Sequence, residues 1–316
     1  MKIVVTGALG HIGSKLIRYI PQVFPEAEIV MIDDLSNQRY CSLFNLPSNG
    51  RYRFIEADVL TADLEAVFSG ADCVVHLAAI TNAAGSFEMG EQVERVNYGG
   101  TERVASLCLE SGCPMIFIST TSVYGSQEKV VDENCPISDL KPQSPYADSK
   151  LKAEKLLETL GKEKGLQFVT CRFGTIFGVS VGMRFHTAIN KFCWQAVMGQ
   201  PITVWRTALN QYRPYLDLSD AVEAIRFIIQ KDLFDGRVYN VLTTNTTVKE
   251  IIDVISEHVP DLSIQYVDTA IMNQLSYHVD NSRFKSHGFE FKGSLKRVIS
   301  ETIDLLKDSN GRPDRL

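Results

Sequence analysis

The sequence predicts an α/β fold in which a doubly wound parallel sheet is followed by a smaller C-terminal domain. Two observations support this prediction. Short apolar segments rich in β-branched residues alternate with helical patterns through residues 1–175, and such alternation is typical of βαβ units and a parallel sheet. In addition, three closely spaced glycines follow the first apolar segment and precede a helical pattern, as in a doubly wound sheet.

The apolar segments predict strands at residues 2–6, 28–32, 52–55, 73–77, 115–119, 168–172, 238–242 and 263–267. Helical periodicity predicts helices at residues 12–20, 91–110, 149–164, 186–198, 219–231, 247–258 and 294–308. After Gly174 the regular alternation ends, and residues 176–216 combine a helix with loops. We therefore predict a first domain of residues 1–175, to which residues 217–242 return, and a smaller second domain of residues 176–316.

Composition excludes several classes of protein. The chain has 316 residues, of which 45% are hydrophobic and 22% are charged, as expected of a soluble globular protein with a sizeable core. Its net charge of -6 argues against a nucleic-acid-binding surface, which usually carries an excess of Lys and Arg. No apolar run reaches the ~18 residues that a membrane span needs. The seven cysteines are scattered, odd in number and without a C-x-x-C motif, so we expect no metal site, no disulfide and a cytoplasmic location.

The first predicted strand runs into Gly7, Gly10 and Gly13, spaced G-x-x-G-x-x-G. In a dinucleotide site one glycine makes a tight turn, one lets the backbone approach the pyrophosphate, and one lets the helix pack on the strand. The N–H groups at the start of the following helix favour phosphate. Asp33 ends the next strand about 20 residues later, where an acid binds the ribose hydroxyls. Because an acid there repels a 2′-phosphate, the sequence predicts NAD, although Arg39 is near enough to keep NADP open.

Tyr146 and Lys150 lie four residues apart, after a Ser144-Pro145 pair that is typical of a helix start. On a helix the two side chains share one face. A free tyrosine has a pKa of about 10 and is a poor base at neutral pH, but an adjacent ammonium group favours the phenolate. A tyrosine tuned in this way can take a proton from an alcohol while hydride leaves the same carbon. Such a pair also occurs by chance on solvated helices, so this prediction depends on the dinucleotide motif upstream.

These motifs occur in a recognisable order. Together with Asp58, the segment His76-Leu77-Ala78-Ala79 and the STTSVYG sequence of residues 119–125, they resemble the extended short-chain dehydrogenase/reductase family, and within it the NAD-dependent nucleotide-sugar epimerases and dehydratases. The resemblance covers roughly residues 1–290 and implies a Rossmann-type sheet with a C-terminal substrate-binding domain. It also implies that the cofactor is bound by Gly7, Leu9, Gly10, His11, Ile12, Gly13, Asp33, Asp58, Val59, Leu77, Ala78, Ala79, Asn97, Ser119, Tyr146 and Lys150. On spacing alone, Asp58 could equally be a helix cap, and Asn97 a polar helix residue.

The resemblance assigns catalysis to Tyr146, Lys150 and a hydroxyl four residues before the tyrosine of the V-Y-G signature. Counting back from that tyrosine gives Thr120, and the adjacent hydroxyl residues Thr121 and Ser122 are alternatives. The 4,6-dehydratases of the family carry acidic residues directly after this threonine, and the related decarboxylases tend to have a glutamate there. The hydroxyl residues at these positions therefore favour epimerisation or simple redox chemistry over dehydration.

Two arginines are candidates for binding the substrate. Arg213 matches the family's Arg-x-Tyr segment, in which a guanidinium fork meets the nucleotide diphosphate. Arg184 lies where the chain crosses into the second domain, and could equally be an exposed loop arginine. Thr175 stands where galactose-type epimerases carry an asparagine that touches the substrate, so other sugars on UDP, dTDP, GDP or CDP stay possible. The predicted substrate-binding residues are Thr121, Ser122, Tyr146, Thr175, Arg184 and Arg213.

We therefore predict an NAD-dependent nucleotide-sugar epimerase that inverts C4 through a 4-keto intermediate. The alternative is an NAD(P)-dependent reductase, dehydrogenase or dehydratase of the same family. A non-catalytic NAD-sensing scaffold would more naturally have lost Tyr146 or Lys150. The resemblance also implies a homodimer formed through the helices near residues 91–110 and 149–164.

Overall fold

A parallel sheet forms the centre of the molecule. The computed structural model describes residues 1–83, 85–125, 130–267 and 276–309. The strands in these ranges are β1 (Lys2–Thr6), β2 (Glu28–Asp33), β3 (Arg51–Glu56), β4 (Cys73–His76), β5 (Met115–Thr120), β6 (Phe168–Phe173), β7 (Thr175–Phe177), β8 (Ile202–Trp205), β9 (Tyr212–Asp217), β10 (Asp235–Val241), β11 (Thr244–Thr247) and β12 (Ile264–Val267). One sheet has the order β10-β6-β5-β4-β1-β2-β3, and all its neighbouring strands are parallel. This order confirms the predicted Rossmann-type fold.

Helices cover both faces of this sheet. In chain order they are α1 (His11–Val23), α2 (Glu65–Phe68), α3 (Gly90–Glu94), α4 (Gly100–Ser111), α5 (Pro145–Lys164), α6 (Ala188–Val197), α7 (Leu218–Lys231), α8 (Val248–Ser256), α9 (Ser282–Lys285) and α10 (Leu295–Leu306), with a π-helical turn at Arg95–Gly99. Along β1, Ile3 and Val5 pack in the core that contains α1 and α7, whereas Val4 packs in the core with α4 and α5. This period of two is that of a strand buried on both faces. In the described ranges, no helix combines the length and the apolar character needed to cross a membrane.

Helix α5 begins where the sequence predicts a helix start. The Ser144 side chain precedes it and accepts the Ala147 N–H at 3.2 Å. Pro145 occupies the first turn, where its missing N–H is not needed. Gly165 ends the helix with a φ of 74°, a left-handed conformation that suits glycine. These local signals fix the first turn of α5, which carries Tyr146.

Beyond the central sheet the chain forms two small sheets. One has the order β11-β9-β7 and the other pairs β12 with β8, and α6, α8 and α10 pack around a separate apolar core. The sequence predicted a helix and loops for residues 176–216, so β7, β8 and β9 correct that prediction. These strands have between 3 and 6 residues, too few to show a clear alternation of apolar side chains. The predicted domain boundary stays a prediction, and residues 268–275 and 310–316 of the predicted second domain lie outside the described residues.

Candidate active site

A cavity of about 940 Å³ lies at the carboxyl ends of the central strands. Residues that follow β1, β2, β4 and β5 line one wall, and residues of α6, β8 and β9 line the other. In an open α/β sheet this is where ligands bind. The predicted site residues that line this cavity are Gly7, Gly10, His11, Ile12, Gly13, Asp33, Asp58, Val59, Leu77, Ala78, Ala79, Ser119, Thr120, Ser122, Tyr146, Lys150, Thr175, Arg184 and Arg213.

Two predicted site residues, Leu9 and Thr121, are not among the residues that line the cavity, and their predicted contacts with cofactor and substrate stay predictions. The Leu9 side chain is fully buried in the core of the sheet, and its backbone N–H donates to Asp33 Oδ2 at 3.0 Å. Thr121 is also buried, and its hydroxyl donates to the Phe173 carbonyl at 3.4 Å. Neither side chain lines the cavity, because the turn that contains each residue directs it toward the protein interior.

The predicted cofactor contact of Asn97 also stays a prediction. It is fully buried, does not line the cavity, and lies in the π-helical turn. Its Oδ1 accepts the Ile80 N–H at 2.8 Å, and its Nδ2 donates to the Ile80 carbonyl at 3.0 Å and to the Ser149 hydroxyl at 3.1 Å. Both donors of the amide are therefore used within the protein. Asn97 joins the loop after β4 to α5 and shapes the cavity without lining it.

The glycine-rich turn fits a pyrophosphate. Gly7 has a φ of 65°, and a Cβ there would lie 2.6 Å from Ala78 N, so the turn requires glycine. A Cβ on Gly13 would lie 2.5 Å from the Ala8 carbonyl oxygen, because α1 packs closely on the turn. At Gly10 the nearest atom to such a Cβ is 3.3 Å away, and Gly10 lines the cavity at the amino end of α1. These are the three glycine roles of a dinucleotide site.

Asp33 is fixed in the position of a ribose acceptor. Its Oδ2 accepts the Leu9 N–H at 3.0 Å, and its Oδ1 accepts the Leu35 N–H at 3.1 Å. Burial raises the pKa of this carboxyl group, and the two amides act in the opposite direction. Each oxygen keeps a further lone pair for a ribose hydroxyl. Arg39 lines the same region, but one of its N–H groups donates to the Gly182 carbonyl at 2.9 Å.

Asp58 lies next to Val59 in the cavity wall. Its Oδ1 accepts the Leu60 N–H at 2.9 Å. Helix α2 begins only at Glu65, so Asp58 stabilises a turn and does not cap a helix. The helix-cap alternative is therefore wrong, and the position of Asp58 remains compatible with a cofactor contact.

Tyr146 and Thr120 meet in the cavity. Tyr146 lies in the first turn of α5, Thr120 is the last residue of β5, and their side chains form a hydrogen bond. Thr120 Oγ1 also accepts the Ser122 N–H at 3.1 Å, so its own O–H can donate to the tyrosine oxygen. Burial raises the pKa of Tyr146 above its usual value, and the Arg184 guanidinium and the Thr120 hydrogen bond offset only part of that rise. The geometry thus brings together the predicted tyrosine and the first-choice hydroxyl.

Lys150 is only 3% exposed and lies one turn after Tyr146 on α5. Its Nζ donates to the Ile118 carbonyl at 2.9 Å and lies 4.8 Å from the centroid of the Phe117 ring. Burial lowers the pKa of Lys150 to about 8, and the Glu154 carboxylate acts in the opposite direction. Burial thus weakens the preference of Lys150 for its charged form, one helical turn after Tyr146.

Arg184 is not the exposed loop arginine that the sequence left open as an alternative. Its guanidinium contacts the Thr81 hydroxyl and lowers the pKa of Tyr146. Among the described residues, Arg184 Nε is a buried nitrogen without a hydrogen-bond partner. A guanidinium in this position can bind an anionic group or stabilise a phenolate.

The cavity wall formed by α6 and β9 is positively charged. Arg213 of β9 and Lys191 of α6 line it, and both can bind phosphate. Thr175 and Ser122 also line the cavity as predicted. Tyr277 lines the cavity as well, and its hydroxyl donates to the Thr121 carbonyl at 3.3 Å.

Sequence reasoning missed Lys191, Tyr277 and Thr81. Lys191 lies on a predicted helix, and nothing in its spacing distinguishes it from a solvated lysine. Tyr277 and Thr81 lie in loops, and only the tertiary structure brings them to the cavity. No local signal could have identified these three residues.

Among the described residues, the acidic side chains that line the cavity lie at the carboxyl ends of β2 and β3. Within the described ranges, the acids that line it are Asp33, Asp34 and Asp58, which follow β2 and β3. The same ranges contain no group of three His, Cys, Asp or Glu side chains that could hold a metal ion. The Tyr146 end is instead lined by hydroxyl groups and cations.

Comparisons with known proteins agree with this fold. The model of the NAD dependent epimerase/dehydratase family matches residues 3–241. A Bacillus subtilis protein described as an uncharacterized UDP-glucose epimerase is 32% identical over 250 residues, which are 76% of this chain and 76% of that one. An Arabidopsis thaliana trifunctional UDP-glucose 4,6-dehydratase/UDP-4-keto-6-deoxy-D-glucose 3,5-epimerase/UDP-4-keto-L-rhamnose-reductase is 30% identical over 318 residues, and the match spans 96% of this chain but 46% of the longer relative. The solved structure of UDP-glucuronic acid 4-epimerase from Bacillus cereus, in complex with UDP-glucuronic acid and NAD, has a TM-score of 0.88 and 24% identity, over 98% of this chain and 100% of that one.

Proposed function

This chain belongs to the NAD-dependent epimerase/dehydratase family, and we propose that within it the protein inverts C4 of a nucleotide sugar through a 4-keto intermediate. The observation that carries this proposal is the composition of the Tyr146 end of the cavity. Tyr146, Thr120 and Lys150 line this part of the cavity together, and the acids among the described lining residues lie at the other end. A dehydratase needs a further acid or base at C5 and C6, so this arrangement favours epimerisation.

The proton chemistry follows from the contacts of Tyr146. The phenolate of Tyr146 takes the proton of the C4 hydroxyl, and the Thr120 hydroxyl and the Arg184 guanidinium stabilise that phenolate. Bound NAD would supply the hydride acceptor for C4 and the hydride donor for the return step. After the 4-keto sugar has turned in the cavity, the Tyr146 hydroxyl gives the proton back to the C4 oxygen.

The cofactor is NAD, as in the rest of the family. Gly10 and the amino end of α1 would hold its pyrophosphate. The Asp33 carboxylate, fixed by two backbone amides, would accept hydrogen bonds from its ribose hydroxyls. Because the reaction regenerates the cofactor in each turnover, we expect the purified protein to retain it.

The substrate diphosphate would bind between Arg213 and Lys191, the cations of the α6 and β9 wall. Thr175 and Ser122 line the space between these cations and Tyr146, where the sugar would lie. Hydroxyl groups there can bind hydroxyl, amide or carboxylate substituents. The geometry therefore supports a nucleotide-diphosphate sugar and leaves the nucleotide and the sugar to experiment.

We also propose that the protein is a homodimer, as the family resemblance implies. Helices α3, α4 and α5 pack together on one side of the molecule. Phe87 and Met89, which precede α3, are 46% and 39% exposed, as expected of apolar residues at an interface. Light scattering after gel filtration tests this proposal, and a monomer at micromolar concentration would contradict it.

Proton NMR of the purified protein with a panel of nucleotide sugars, and without added cofactor, tests the proposed reaction. We expect one sugar to give its C4 epimer, and the matched variant Tyr146→Phe to be slower by a factor of about 10² or more. Turnover only with a keto sugar and added NAD(P)H would support a reductase instead. Formation of a 6-deoxy-4-keto product would support a dehydratase.

A further inference from the structure

A buried ion pair lies directly behind the proposed catalytic residues. Glu154 follows Lys150 by one turn of α5 and Tyr146 by two, so all three side chains lie on one face of the helix. Glu154 is 6% exposed, and its partner Arg172 in β6 is 5% exposed. Neither residue lines the cavity. The pair therefore lies in the protein interior, on the same face of α5 as Tyr146 and Lys150.

The Glu154 carboxylate is held from two sides. Arg172 Nε donates to Oε1 at 3.0 Å, and its NH2 group donates to Oε2 at 2.6 Å. The Ser119 hydroxyl donates to Oε1 as well. Burial alone would lower the pKa of Arg172, but the Glu154 carboxylate raises it above its usual range.

Stability alone does not explain such a pair. A buried ion pair gives little net stability, and apolar residues of similar volume often serve equally well. The core around this pair is apolar, with Leu151, Ala153 and Leu157 on the same helix. A charge in this position therefore suggests an electrostatic role.

Lys150 is the group that a charge at Glu154 would affect. Ser119, which binds Glu154, directly follows Ile118, whose carbonyl accepts the Lys150 ammonium at 2.9 Å. Burial lowers the pKa of Lys150 to about 8, and the Glu154 carboxylate opposes that change.

Among the residues that the structure describes, the other groups packed around Lys150 do not supply a negative charge. On β4, burial lowers the pKa of His76 to about 3, so this ring is neutral. On β5, Phe117 presents a ring face to the ammonium. On β6, Arg172 is positive, and in the cavity Tyr146 is neutral until it acts as the base.

We propose that Glu154 is a positioning residue whose carboxylate, anchored by Arg172 and Ser119, keeps Lys150 in its ammonium form and thereby favours the phenolate of Tyr146. This inference rests on the proposed roles of Tyr146 and Lys150. Arg172 anchors the carboxylate, but its own positive charge acts on Lys150 in the opposite direction. The two partners of the ion pair should therefore affect Lys150 differently, whereas two purely structural partners would not.

NMR of the full-length, cofactor-containing protein labelled with [ε-¹³C]lysine tests this inference without any substrate. The Lys150 signal is identified by its loss in Lys150→Met. In Glu154→Gln we expect the ratio of charged to neutral Lys150, at a fixed pH, to fall about tenfold or more. Arg172→Lys keeps a cation beside Glu154 but loses the fork, so it should reduce stability and leave that ratio within about threefold of wild type. In Glu154→Asp the carboxylate is one methylene further from Lys150, so the ratio of charged to neutral Lys150 should lie between those of wild type and Glu154→Gln. This variant answers the same question if Glu154→Gln does not fold.

The pH profile of kcat gives a second readout. In Glu154→Gln the fall of activity at high pH should begin at lower pH than in wild type, because Lys150 loses its proton earlier. The inference is overturned if Lys150 titrates identically in wild type and Glu154→Gln, or if Glu154→Gln and Arg172→Lys change the titration equally. If no nucleotide sugar is turned over, the proposed function fails, but the NMR titration still decides the role of Glu154.

Discussion

Replacing Lys150 with methionine should stabilise the protein at neutral pH while removing most of its activity. Lys150 is 3% exposed, and burial lowers its pKa from 10.5 to about 8. At 1.36 kcal/mol for each pKa unit, keeping this side chain charged at pH 7 costs about 3 kcal/mol of folding free energy. Methionine matches the length of the side chain and removes that cost.

The substitution also removes the hydrogen bond from Lys150 to the Ile118 carbonyl, 2.9 Å long. A hydrogen bond from a charged group contributes about 1.5–3 kcal/mol, and we take the lower end because the carbonyl oxygen keeps its other lone pair. The net gain at pH 7 is then about 1–2 kcal/mol, or a rise in Tm of about 2–3 °C for a chain of this size. We expect kcat to fall by a factor of about 10² or more, since the phenolate loses its neighbouring cation.

The pH dependence makes this prediction specific. The folded protein binds fewer protons than the unfolded chain between pH 8 and pH 10.5, so the stability of wild type rises with pH in that window. The stability advantage of Lys150→Met over wild type should therefore shrink above pH 8 and reverse as pH approaches 10.5. Urea denaturation at saturating NAD, repeated on protein freed of cofactor, measures the difference. Lys152→Met, at an exposed neighbouring position, is the control, and its stability difference from wild type should not reverse with pH. The reasoning would be refuted if Lys150→Met were less stable than wild type at pH 7, or if their difference in stability did not depend on pH.

Three further substitutions test other parts of the site. Thr120→Val removes a hydrogen bond that lowers the pKa of Tyr146. The low-pH limb of the kcat profile should therefore move to higher pH, and kcat at pH 7 should fall roughly tenfold. Arg184→Met removes the larger of the two effects that lower this pKa, and should move the same limb of the pH profile in the same direction by at least as much, roughly tenfold at pH 7. Gly182→Ala places a Cβ 2.4 Å from the Leu9 carbonyl oxygen, so it should push residues 178–182 away from the glycine-rich turn and reduce the NAD content of the purified protein, measured by absorbance after denaturation.

Each of these has an outcome that contradicts it. A pH profile that falls in height without moving would show that Thr120 or Arg184 positions the substrate and does not tune Tyr146. For Gly182→Ala the matched control is Val181→Ala, because Val181 is 47% exposed. Equal NAD contents in these two variants would show that the packing of residues 178–182 on the glycine-rich turn does not affect NAD binding.

Much of the fold could be predicted because its signals are local. The strands of the central sheet are mostly apolar runs, and the glycines and Asp33 lie at the ends of such runs, whereas Tyr146 is marked by its spacing to Lys150 and by the helix start before it. The helix start at Ser144 depends only on neighbouring residues. In contrast, β8 pairs with β12 about 60 residues later, and so short a strand is stabilised by a partner that sequence patterns do not reveal.

The parts of the site that could not be predicted depend on tertiary contacts. Thr120 and Thr121 are adjacent and chemically alike, and only the 3-10 turn that begins at Thr121 decides that the first faces Tyr146 and the second faces Phe173. Arg184 reaches Tyr146 from a loop whose path no periodicity describes. Glu154 is an ordinary glutamate in the sequence, and its burial against Arg172 becomes visible only when β6 packs beside α5.

The central claim is that one hydride leaves and returns to C4 within a single turnover. A nucleotide sugar that the NMR panel identifies as a substrate, labelled with deuterium at C4, tests this most directly when no cofactor is added. The account predicts that deuterium remains at C4 in both epimers and that the labelled sugar reacts more slowly. Loss of deuterium to solvent, or a requirement for added NAD(P)H, would contradict it.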